Sequence, residues 1–296
     1  MHLERTLAAL CLGLLASSAS LAESLPQRWI SAGGATTEWV VELGGQPRLV
    51  GVDTTSQHPQ SVTSLPSVGY QRQLSAEGVL TLAPDLLLGT EEMGPPPVLA
   101  QLERAGIRIV QLSARSDLQV LDDNLQRLGE LLGQPERAQL ALEDFHQQLS
   151  HLQQQVDQAR QGEQPPGVLL LLGQGGTNPL VAGRNTLADW LLRQAGARNL
   201  AEHEGYKNLS GEALLALDAD WLVLTDRQLR GAEGQQALLA HNRALAASRA
   251  VREGHLLSID PTLLVGGLGP RLPGVLRQLS HAFYPALQPR QVDISQ

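Results

Sequence analysis

Cysteine is almost absent from this sequence of 296 residues, and the single cysteine, Cys11, lies within the first 22 residues. Leu10 stands directly before it, where the signal of a lipoprotein has a small residue, so we expect no lipid anchor. Once the first 22 residues are removed, the expected mature chain has neither a thiol nor a disulfide. Such a chain depends on its apolar core for stability, even in an oxidising compartment.

These 22 residues have the pattern of a secretory signal peptide. Arg5 supplies a positive charge, Leu7 to Leu15 form a short apolar stretch, and Ser20-Leu21-Ala22 has the small-x-small form of a cleavage site. The mature chain is expected to begin at Glu23. An exported soluble chain of this composition points to the bacterial periplasm, which is the predicted location.

Several other features are scarce. No stretch after the signal has the roughly 18 consecutive apolar residues that a transmembrane helix needs. The formal net charge is −8 and no run of Lys or Arg offsets it, so a broad nucleic-acid interface is excluded. Aromatic residues make up 3% and there are three tyrosines, at positions 70, 206 and 284, so each tyrosine is a candidate functional residue.

Local signatures of catalysis and of metal binding are also missing. There is no Gly-x-Ser-x-Gly nucleophile elbow and no His/Cys cluster with the spacing of a zinc site. Sequence spacing reports only local sites, so a metal site built from distant residues stays open. A secreted α/β enzyme, such as a hydrolase or a chelatase, also stays open as an alternative.

Short apolar runs alternate with helical patterns in both halves, which predicts βαβ units around mostly parallel sheets. Residues 135 to about 161 lack Gly and are rich in Gln, Glu, Ala and Leu after Pro135, which predicts one helix of about 26 residues. An ordinary packing helix is the alternative to a rigid linker. We predict an α/β fold with two Rossmann-like lobes joined by this helix: signal peptide 1–22, first lobe 23–134, linker helix 135–162 and second lobe 163–296.

A short pattern occurs once in each half. Glu77-Gly-Val-Leu-Thr-Leu-Ala-Pro-Asp85 and Glu212-Ala-Leu-Leu-Ala-Leu-Asp-Ala-Asp220 each precede a predicted strand. Ser75 and Ser210 stand two residues before the glutamates, as helix N-caps do. Each glutamate then lies in a first helical turn, where a carboxylate interacts favourably with the helix dipole. That local role explains each glutamate but not the duplication, which indicates docking to a two-fold partner.

Tyr70 follows the turn-like stretch Pro66-Ser67-Val68-Gly69, which predicts a loop at the edge of the first lobe. Arg72 lies two residues further on. A phenol bound to Fe³⁺ ionises because the metal is the dominant local charge, and a guanidinium hydrogen-bonded to the oxygen favours the same state. Tyrosine is an axial ligand of haem iron in some proteins. The local residues also fit a surface tyrosine that packs on the turn.

Two glycine-rich stretches lie next to predicted strands or helices. Gly173-Gln174-Gly175-Gly176 and Gly266-Gly267-Leu268-Gly269 fit either tight turns or close backbone approach to a flat ligand. Arg227 follows a predicted strand, and ligands of open α/β sheets bind beyond the carboxyl ends of strands. Arg227 is therefore a candidate partner for an anionic group such as a propionate, with a solvated arginine as the alternative. Asn185 is expected to cap a helix over residues 186–194.

The stretch Val68-Gly69-Tyr70-Gln71-Arg72-Gln73-Leu74-Ser75-Ala76-Glu77-Gly78 resembles the haem-specific periplasmic binding proteins of bacterial haem-uptake ABC transporters. The similarity extends through most of the mature chain and includes Pro84-Asp85, Val181-Ala182-Gly183 and Gly267-Leu268-Gly269-Pro270-Arg271. The Glu-to-Pro-Asp pattern is shared more widely, with vitamin B12 and siderophore binders of the same fold.

The resemblance implies the class III periplasmic binding protein fold, with little hinge motion and a ligand in the cleft between two lobes. It implies that Tyr70 ligates the iron of haem b and that Arg72 supports Tyr70. It also implies that Glu77 and Glu212 dock to arginines of an ABC permease dimer in the inner membrane, with an outer-membrane haem receptor upstream. We expect a monomeric chain that catalyses nothing.

Some members of this family supply a histidine from the glycine loop of the second lobe and hold a second haem. That loop has no histidine here, so we predict a single haem with Tyr70 as its only protein ligand and high-spin ferric iron. Gly175 and Gly176 are expected to let the backbone approach the haem, and Arg227 to meet a propionate. The same fold with a corrinoid or a ferric siderophore as cargo is the alternative.

Overall fold

The computed structural model describes residues 25–173, 179–225 and 243–287. They form two α/β lobes, each built on one main sheet, and a helix of 26 residues connects the lobes. The predicted signal peptide (residues 1–22), Gly175, Gly176 and Arg227 lie outside the described residues. Within the described ranges, no helix has the length and apolar character that crossing a membrane requires.

The first lobe contains a sheet of four parallel strands in the order β2-β1-β5-β6, with β1 and β5 buried in the centre. Burial on both faces explains why these central strands are continuous apolar runs. The elements of this lobe are β1 (Trp29–Ser31), α1 (Gly34–Glu42), β2 (Leu49–Val52), β3 (Gly69–Tyr70), β4 (Gln73–Leu74), α2 (Ala76–Thr81), β5 (Leu86–Thr90), α3 (Pro96–Arg104), β6 (Arg108–Leu112) and α4 (Leu118–Leu132), with 3-10 turns at Gln46–Arg48 and Gln60–Val62.

The linker helix, α5, runs from Pro135 to Arg160 and matches the helix predicted from composition. Its buried side chains recur every three or four residues and form one stripe along the helix. This stripe belongs to an apolar core that includes side chains of both lobes. The stripe consists of Ala138, Leu142, Phe145, Leu149, Leu152 and Val156.

The second lobe contains a mixed sheet in the order β10-β8-β7-β11-β12, and β9 also pairs with β7. Strands β7, β11 and β12 are parallel and β12 forms one edge of the sheet, whereas β8 and β10 add antiparallel pairings at the other edge. The elements of this lobe are β7 (Gly167–Leu172), β8 (Leu180–Ala182), α6 (Leu187–Gln194), β9 (Arg198–Asn199), β10 (Tyr206–Asn208), α7 (Gly211–Ala216), β11 (Trp221–Thr225), α8 (Arg243–Ala246), α9 (Arg249–Arg252), β12 (Leu256–Ser258) and α10 (Leu272–Phe283), with 3-10 turns at Pro261–Leu264 and Pro285–Leu287.

The lobes also contact each other directly, along α1 and the segment that follows β12. The amide of Ala35 donates to the carbonyl of Val265 at 3.0 Å, and Nε1 of Trp39 donates to the carbonyl of Leu268 at 2.7 Å. Both bonds are between residues more than 200 positions apart in sequence. They fix the relative position of the lobes at one edge of the cleft described below.

A charged network accompanies this contact. The Arg271 guanidinium donates to Glu38 of α1 at 2.7 and 2.9 Å and to Asp260 at 3.3 Å. His58 of the first lobe lies 2.7 Å from the same Asp260 carboxylate, to which the amide and hydroxyl of Thr262 also donate. Four ionisable groups, two from each lobe, therefore bridge the lobes.

This network shifts the pKa values of two of its carboxyl groups. Burial alone would raise the pKa of Asp260, but hydrogen bonds from Thr262 and His58 and the charge of Arg271 lower it to about 2. The pKa of Glu38 is raised, because its burial outweighs the attraction of Arg271. Asp260 is thus the firmly ionised carboxylate of the network.

Candidate functional site

A cleft of about 250 Å³ lies between the lobes. Sites for small molecules usually measure about 300–1,000 Å³, so a large flat ligand would extend from this cleft towards its open rim. Residues from both lobes line it, and most of those of the first lobe follow the carboxyl ends of β5 and β6. The lining residues are Arg72, Glu92, Ala114, Arg115, Ser116, Asn185, Thr186, Leu187, Gly205, Tyr206, Leu264, Gly266 and Gly267.

Tyr70 stands next to this lining, on the hairpin formed by β3 and β4, which we call the tyrosine hairpin. Gln71 and Arg72 form its turn. Gln71 is completely buried, and its carbonyl accepts a hydrogen bond from the amide of Gly94 at 3.0 Å. The anchored turn leaves the Tyr70 side chain 39% exposed. Tyr70 therefore lies at the lobe edge, but on a short hairpin rather than in the predicted loop.

Arg72 has a carboxylate partner that the sequence analysis missed. Nη2 of Arg72 donates to Oε1 of Glu92 in a short charge-assisted bond, and Nε2 of the buried Gln71 donates to Oε2 of Glu92 at 3.4 Å. Glu92 is 20 positions from Arg72 in sequence, so only the fold brings the end of β5 to the hairpin. The predicted support of Tyr70 by Arg72 stays a prediction, since Arg72 is bonded to Glu92 here.

Tyr206 faces the Arg72–Glu92 pair from the second lobe. It begins β10, pairs with Ala182 of β8 and is 43% exposed. Partial burial raises the pKa of Tyr206 and the nearby Glu92 carboxylate adds to this effect, whereas the charge of Arg72 and the hydroxyl of Thr186 act in the opposite direction. Tyr206 therefore presents a neutral phenol, which can donate a hydrogen bond into the cleft.

Arg115 adds a further positive charge to the first-lobe wall. It lies in the segment that connects β6 to α4, and its side chain is exposed. Among the residues that the structure describes, no ion pair involves Arg115. Its guanidinium is thus available to an anionic group of a ligand. The sequence offered no signal for this role, because Arg115 belongs to no motif.

The predicted cap of α6 was wrong. Asn185 has a positive φ of 62°, and the N-cap is Thr186, whose hydroxyl accepts a hydrogen bond from the amide of Asp189 at 3.1 Å. Thr186 has the extended backbone that an N-cap requires, whereas the left-handed backbone of Asn185 turns the chain into the helix. Both residues still line the second-lobe wall.

Glu77 and Glu212 lie in the first turns of α2 and α7, and both side chains are exposed. The hydroxyls of Ser75 and Ser210 each accept a hydrogen bond at 3.2 Å from the amide three residues further on, so both serines are the N-caps that were predicted. Neither glutamate lines the cleft. Their predicted docking role is thus separate in space from the ligand site.

Two other surface grooves are larger than the cleft. One, of about 430 Å³, lies between α4 and α5 and contains the Asp122–His146 pair at 2.7 Å. The other, of about 570 Å³, lies beside the stacked rings of Trp221 and His255 in the second lobe. Neither groove borders Tyr70. In the part of the chain that the structure describes, no three His, Cys, Asp or Glu side chains are grouped to hold a metal ion.

Comparison with known proteins confirms the predicted fold and the resemblance on which it rested. The sequence profile of the family described as periplasmic binding protein matches residues 30–263. A solved periplasmic heme-binding protein from Pseudomonas aeruginosa is 60% identical, with a TM-score of 0.86 over 88% of this chain and 94% of that chain. The periplasmic heme-binding protein BhuT, solved in complex with two hemes, is 38% identical, with a TM-score of 0.77 over 86% of this chain and 98% of that chain.

Curated vitamin B12-binding proteins are also similar to this chain. The protein from Pectobacterium atrosepticum is 33% identical over 192 residues, which are 64% of this chain and 66% of that protein. The match thus spans slightly less than two thirds of that relative's length.

Proposed function

Because the chain belongs to the periplasmic binding protein family, we propose that it binds one haem between its lobes and delivers it to an ABC permease in the inner membrane. The family and its solved neighbours are binding proteins rather than enzymes. The haem is a cargo that is held and released unchanged. The protein would act as a monomer in the periplasm, downstream of an outer-membrane haem receptor.

The observation that carries this proposal is the tyrosine hairpin beside the cleft. Tyr70 is exposed on a turn that the buried Gln71 anchors, and Arg72 of the same turn lines the cleft. A phenol that coordinates Fe³⁺ loses its proton because the metal is the dominant local charge. A nearby guanidinium stabilises the resulting phenolate. Tyr70 is therefore the proposed sole protein ligand of the iron, with Arg72 in support.

The charges of the cleft favour a cargo with anionic groups. Arg115 points to such a group, since no carboxylate of the described residues pairs with it. The propionates of haem are anionic, whereas most side chains of a corrinoid are neutral amides. We propose Arg115 as a propionate partner, in addition to Arg227, which was predicted from the sequence to have the same role. Gly175 and Gly176 are proposed to let the backbone approach the porphyrin.

A corrinoid is the second candidate cargo, because curated relatives of this chain include vitamin B12-binding proteins. Those proteins share the fold, so the fold does not discriminate between the two ligands. The discriminating feature is a tyrosine ligand for ferric iron. Competition of cyanocobalamin and of a ferric siderophore against hemin measures the preference directly.

The ligand assignment is tested by adding hemin to the purified protein and recording the visible spectrum. Tyr70→Ala should lose most of the ferric tyrosinate absorption and weaken hemin binding by more than about tenfold, because the only protein bond to the iron is removed. The matched control is Tyr284→Phe, which removes a hydroxyl that donates to the carbonyl of Gly196, away from the cleft. An unchanged spectrum and affinity in Tyr70→Ala would show that Tyr70 is not the ligand.

Delivery is proposed to use the two exposed glutamates. Glu77 and Glu212 lie at equivalent positions of α2 and α7, one in each lobe. A permease dimer presents two equivalent subunits, so one glutamate can bind an arginine on each. Because neither glutamate lines the cleft, docking and haem binding should be separable by mutation.

A further inference from the structure

We propose that Leu80 and Leu215 form the apolar half of the docking surface, and that each enters an apolar socket on one subunit of the permease dimer. This inference rests on the proposed delivery of a cargo to a permease. Glu77 and Leu80 of the first lobe, with Glu212 and Leu215 of the second, are called the paired docking contacts below. The two leucines have no part in the ligand site, since neither lines the cleft.

Few large apolar side chains are exposed, and two of them occupy equivalent positions. Leu80 is 39% exposed and Leu215 is 38% exposed. A single exposed leucine is normal on a protein surface, but here an exposed leucine is repeated at the same position of both lobes. Within residues 25–173, 179–225 and 243–287, the exposed large apolar or aromatic side chains are Leu25, Tyr70, Leu80, Leu140, Tyr206 and Leu215.

The equivalence extends over the whole of each short helix. Both helices begin with a serine N-cap, place an exposed glutamate two residues later, bury the next aliphatic side chain and then expose a leucine. Both end at a non-glycine residue with the same positive φ of 44°. The pairs are Ser75 and Ser210, Glu77 and Glu212, Val79 and Leu214, Leu80 and Leu215, and Ala83 and Asp218.

Each helix is also fixed at its C-terminal end by an arginine from another element. Arg28 donates to the carbonyls of Leu82 and Ala83 at 2.7 and 2.9 Å. Arg249 donates to the carbonyl and the carboxylate of Asp218 at 2.9 and 3.1 Å. These bonds satisfy carbonyls that a helix end leaves free. Since both ends are bonded, the paired docking contacts are presented from a fixed frame.

The spacing of the contacts defines the chemistry of the partner. Residues three apart on a helix are neighbours on one face, so each helix presents a carboxylate beside an isobutyl group. The complementary surface has a cation next to an apolar pocket. The carboxylate orients the approach through an interaction that salt screens, whereas the leucine adds burial that salt does not weaken. Two such pairs fit a partner with two equivalent halves, as the permease dimer has.

The test measures binding of the hemin-loaded protein to the cognate permease–ATPase complex in nanodiscs, by biolayer interferometry at low and high salt. Leu80→Ser and Leu215→Ser should each weaken binding by roughly three- to tenfold at both salt concentrations. Only the part of each leucine side chain that is exposed in the free protein becomes buried on docking, and this limits the size of the effect. The double variant should multiply the two effects. Glu77→Ala and Glu212→Ala should weaken binding at low salt and much less at high salt.

The matched control is Leu140→Ser, at a leucine of α5 that is 66% exposed. It should bind the permease as the unmodified protein does, and all variants should keep the hemin affinity and the unfolding midpoint. Leu80→Ala and Leu215→Ala serve as second variants where a serine lowers that midpoint.

Three results would overturn the inference. Normal binding of the leucine variants to the permease would exclude the leucines as docking contacts. The glutamate variants would still test whether docking uses these two helices. An equal loss in Leu140→Ser would make the effect non-specific. The third result is that the protein self-associates, the leucine double variant abolishes this self-association, and permease binding is unchanged. The leucines would then form a contact between two copies of the chain. Failure of the unmodified protein to bind hemin or the permease is a different result, which rejects the proposed function instead.

Discussion

Arg72 and Glu92 form a charged pair on the first-lobe wall of the cleft. Their side chains are bonded to each other, and the buried Gln71 holds the second oxygen of the carboxylate. Removal of one partner leaves the other charge alone beside the cleft. A lone carboxylate at this position would repel both a phenolate at Tyr70 and an anionic cargo. Arg72 therefore favours the binding of an anionic cargo partly because its positive charge neutralises the Glu92 carboxylate.

This coupling gives a prediction for a double variant. Arg72→Ala should weaken hemin binding by about tenfold, and Arg72→Ala with Glu92→Gln should recover to within about threefold of the unmodified protein, because interactions of paired residues are not additive. Hemin titrations of the single and double variants measure both effects. Purely additive losses would show that Glu92 does not act through Arg72.

The α5 helix connects the lobes and also forms part of their shared core. Phe145 lies at the middle of its buried stripe and is 2% exposed, with its ring centroid 6.0 Å from that of Trp39 in the first lobe. The opposite face of the helix is polar apart from the exposed Leu140. The two faces of one helix thus make very different contributions to stability.

Phe145→Ala should lower the free energy of unfolding by about 3–5 kcal/mol, because it removes a buried ring and leaves a cavity. Leu140→Ala, on the exposed face of the same helix, should change it by less than about 0.5 kcal/mol. Urea denaturation followed by circular dichroism measures both values. Losses of similar size would mean that burial in the stripe is not what makes α5 stabilising.

Long and strongly periodic elements were predictable from sequence, and short ones were not. The α5 helix covers the span that its composition predicts, and the buried strands coincide with apolar runs. The strands β3, β4, β8, β9 and β10 have two or three residues, too few to show a period of two. The tyrosine hairpin was missed for this reason, and α6 was given the wrong cap because Asn185 and Thr186 are both good capping residues.

The cleft lining was predictable only in part: Arg72, Gly266 and Gly267 line it and belong to stretches marked in the sequence, whereas the role of Tyr70 as iron ligand stays a prediction. Tyr70 and Arg72 belong to one short stretch, which the resemblance identified. Glu92, Arg115 and Tyr206 come from three other segments that meet only in the folded protein. Glu92 and Arg115 are ordinary residues in their local context, and Tyr206 was marked only by the scarcity of tyrosine, so no motif could have placed these three side chains together. The cleft wall is thus a product of topology more than of any single segment.

Contact between the lobes depends on a charged network as well as on the apolar core. Arg271 bonds to Glu38 of the first lobe and to Asp260 of its own lobe, and His58 of the first lobe bonds to the same Asp260. Ionised Asp260 is thus bonded to cationic or hydrogen-donating groups on both sides of the contact. This arrangement links the stability of the molecule to pH.

Asp260→Asn should lower the free energy of unfolding by about 2 kcal/mol at neutral pH. The pKa of Asp260 falls from 3.8 to about 2 on folding, so its stabilisation is complete above about pH 4 and is lost as the pH falls towards 2. The unfolding midpoints of the two proteins should therefore converge between pH 4 and pH 2. The control is Asp157→Asn, whose side chain is 73% exposed; it should track the unmodified protein throughout, and a constant difference for Asp260→Asn at all pH values would contradict the linkage.

The matching pattern of capped and exposed residues in α2 and α7 has a consequence for the encounter of the protein with any partner made of two equal halves. The chain can meet such a partner in either of two orientations that differ by half a turn, and both satisfy the same local contacts. The number of productive collisions doubles as a result. The cleft does not share this symmetry, because its first-lobe wall carries the charged Arg72–Glu92 pair and its second-lobe wall carries the phenol of Tyr206. A cargo carried in the cleft therefore arrives with a given face towards one half of the partner or towards the other, so a partner that accepts both orientations must receive the cargo equally well from either face.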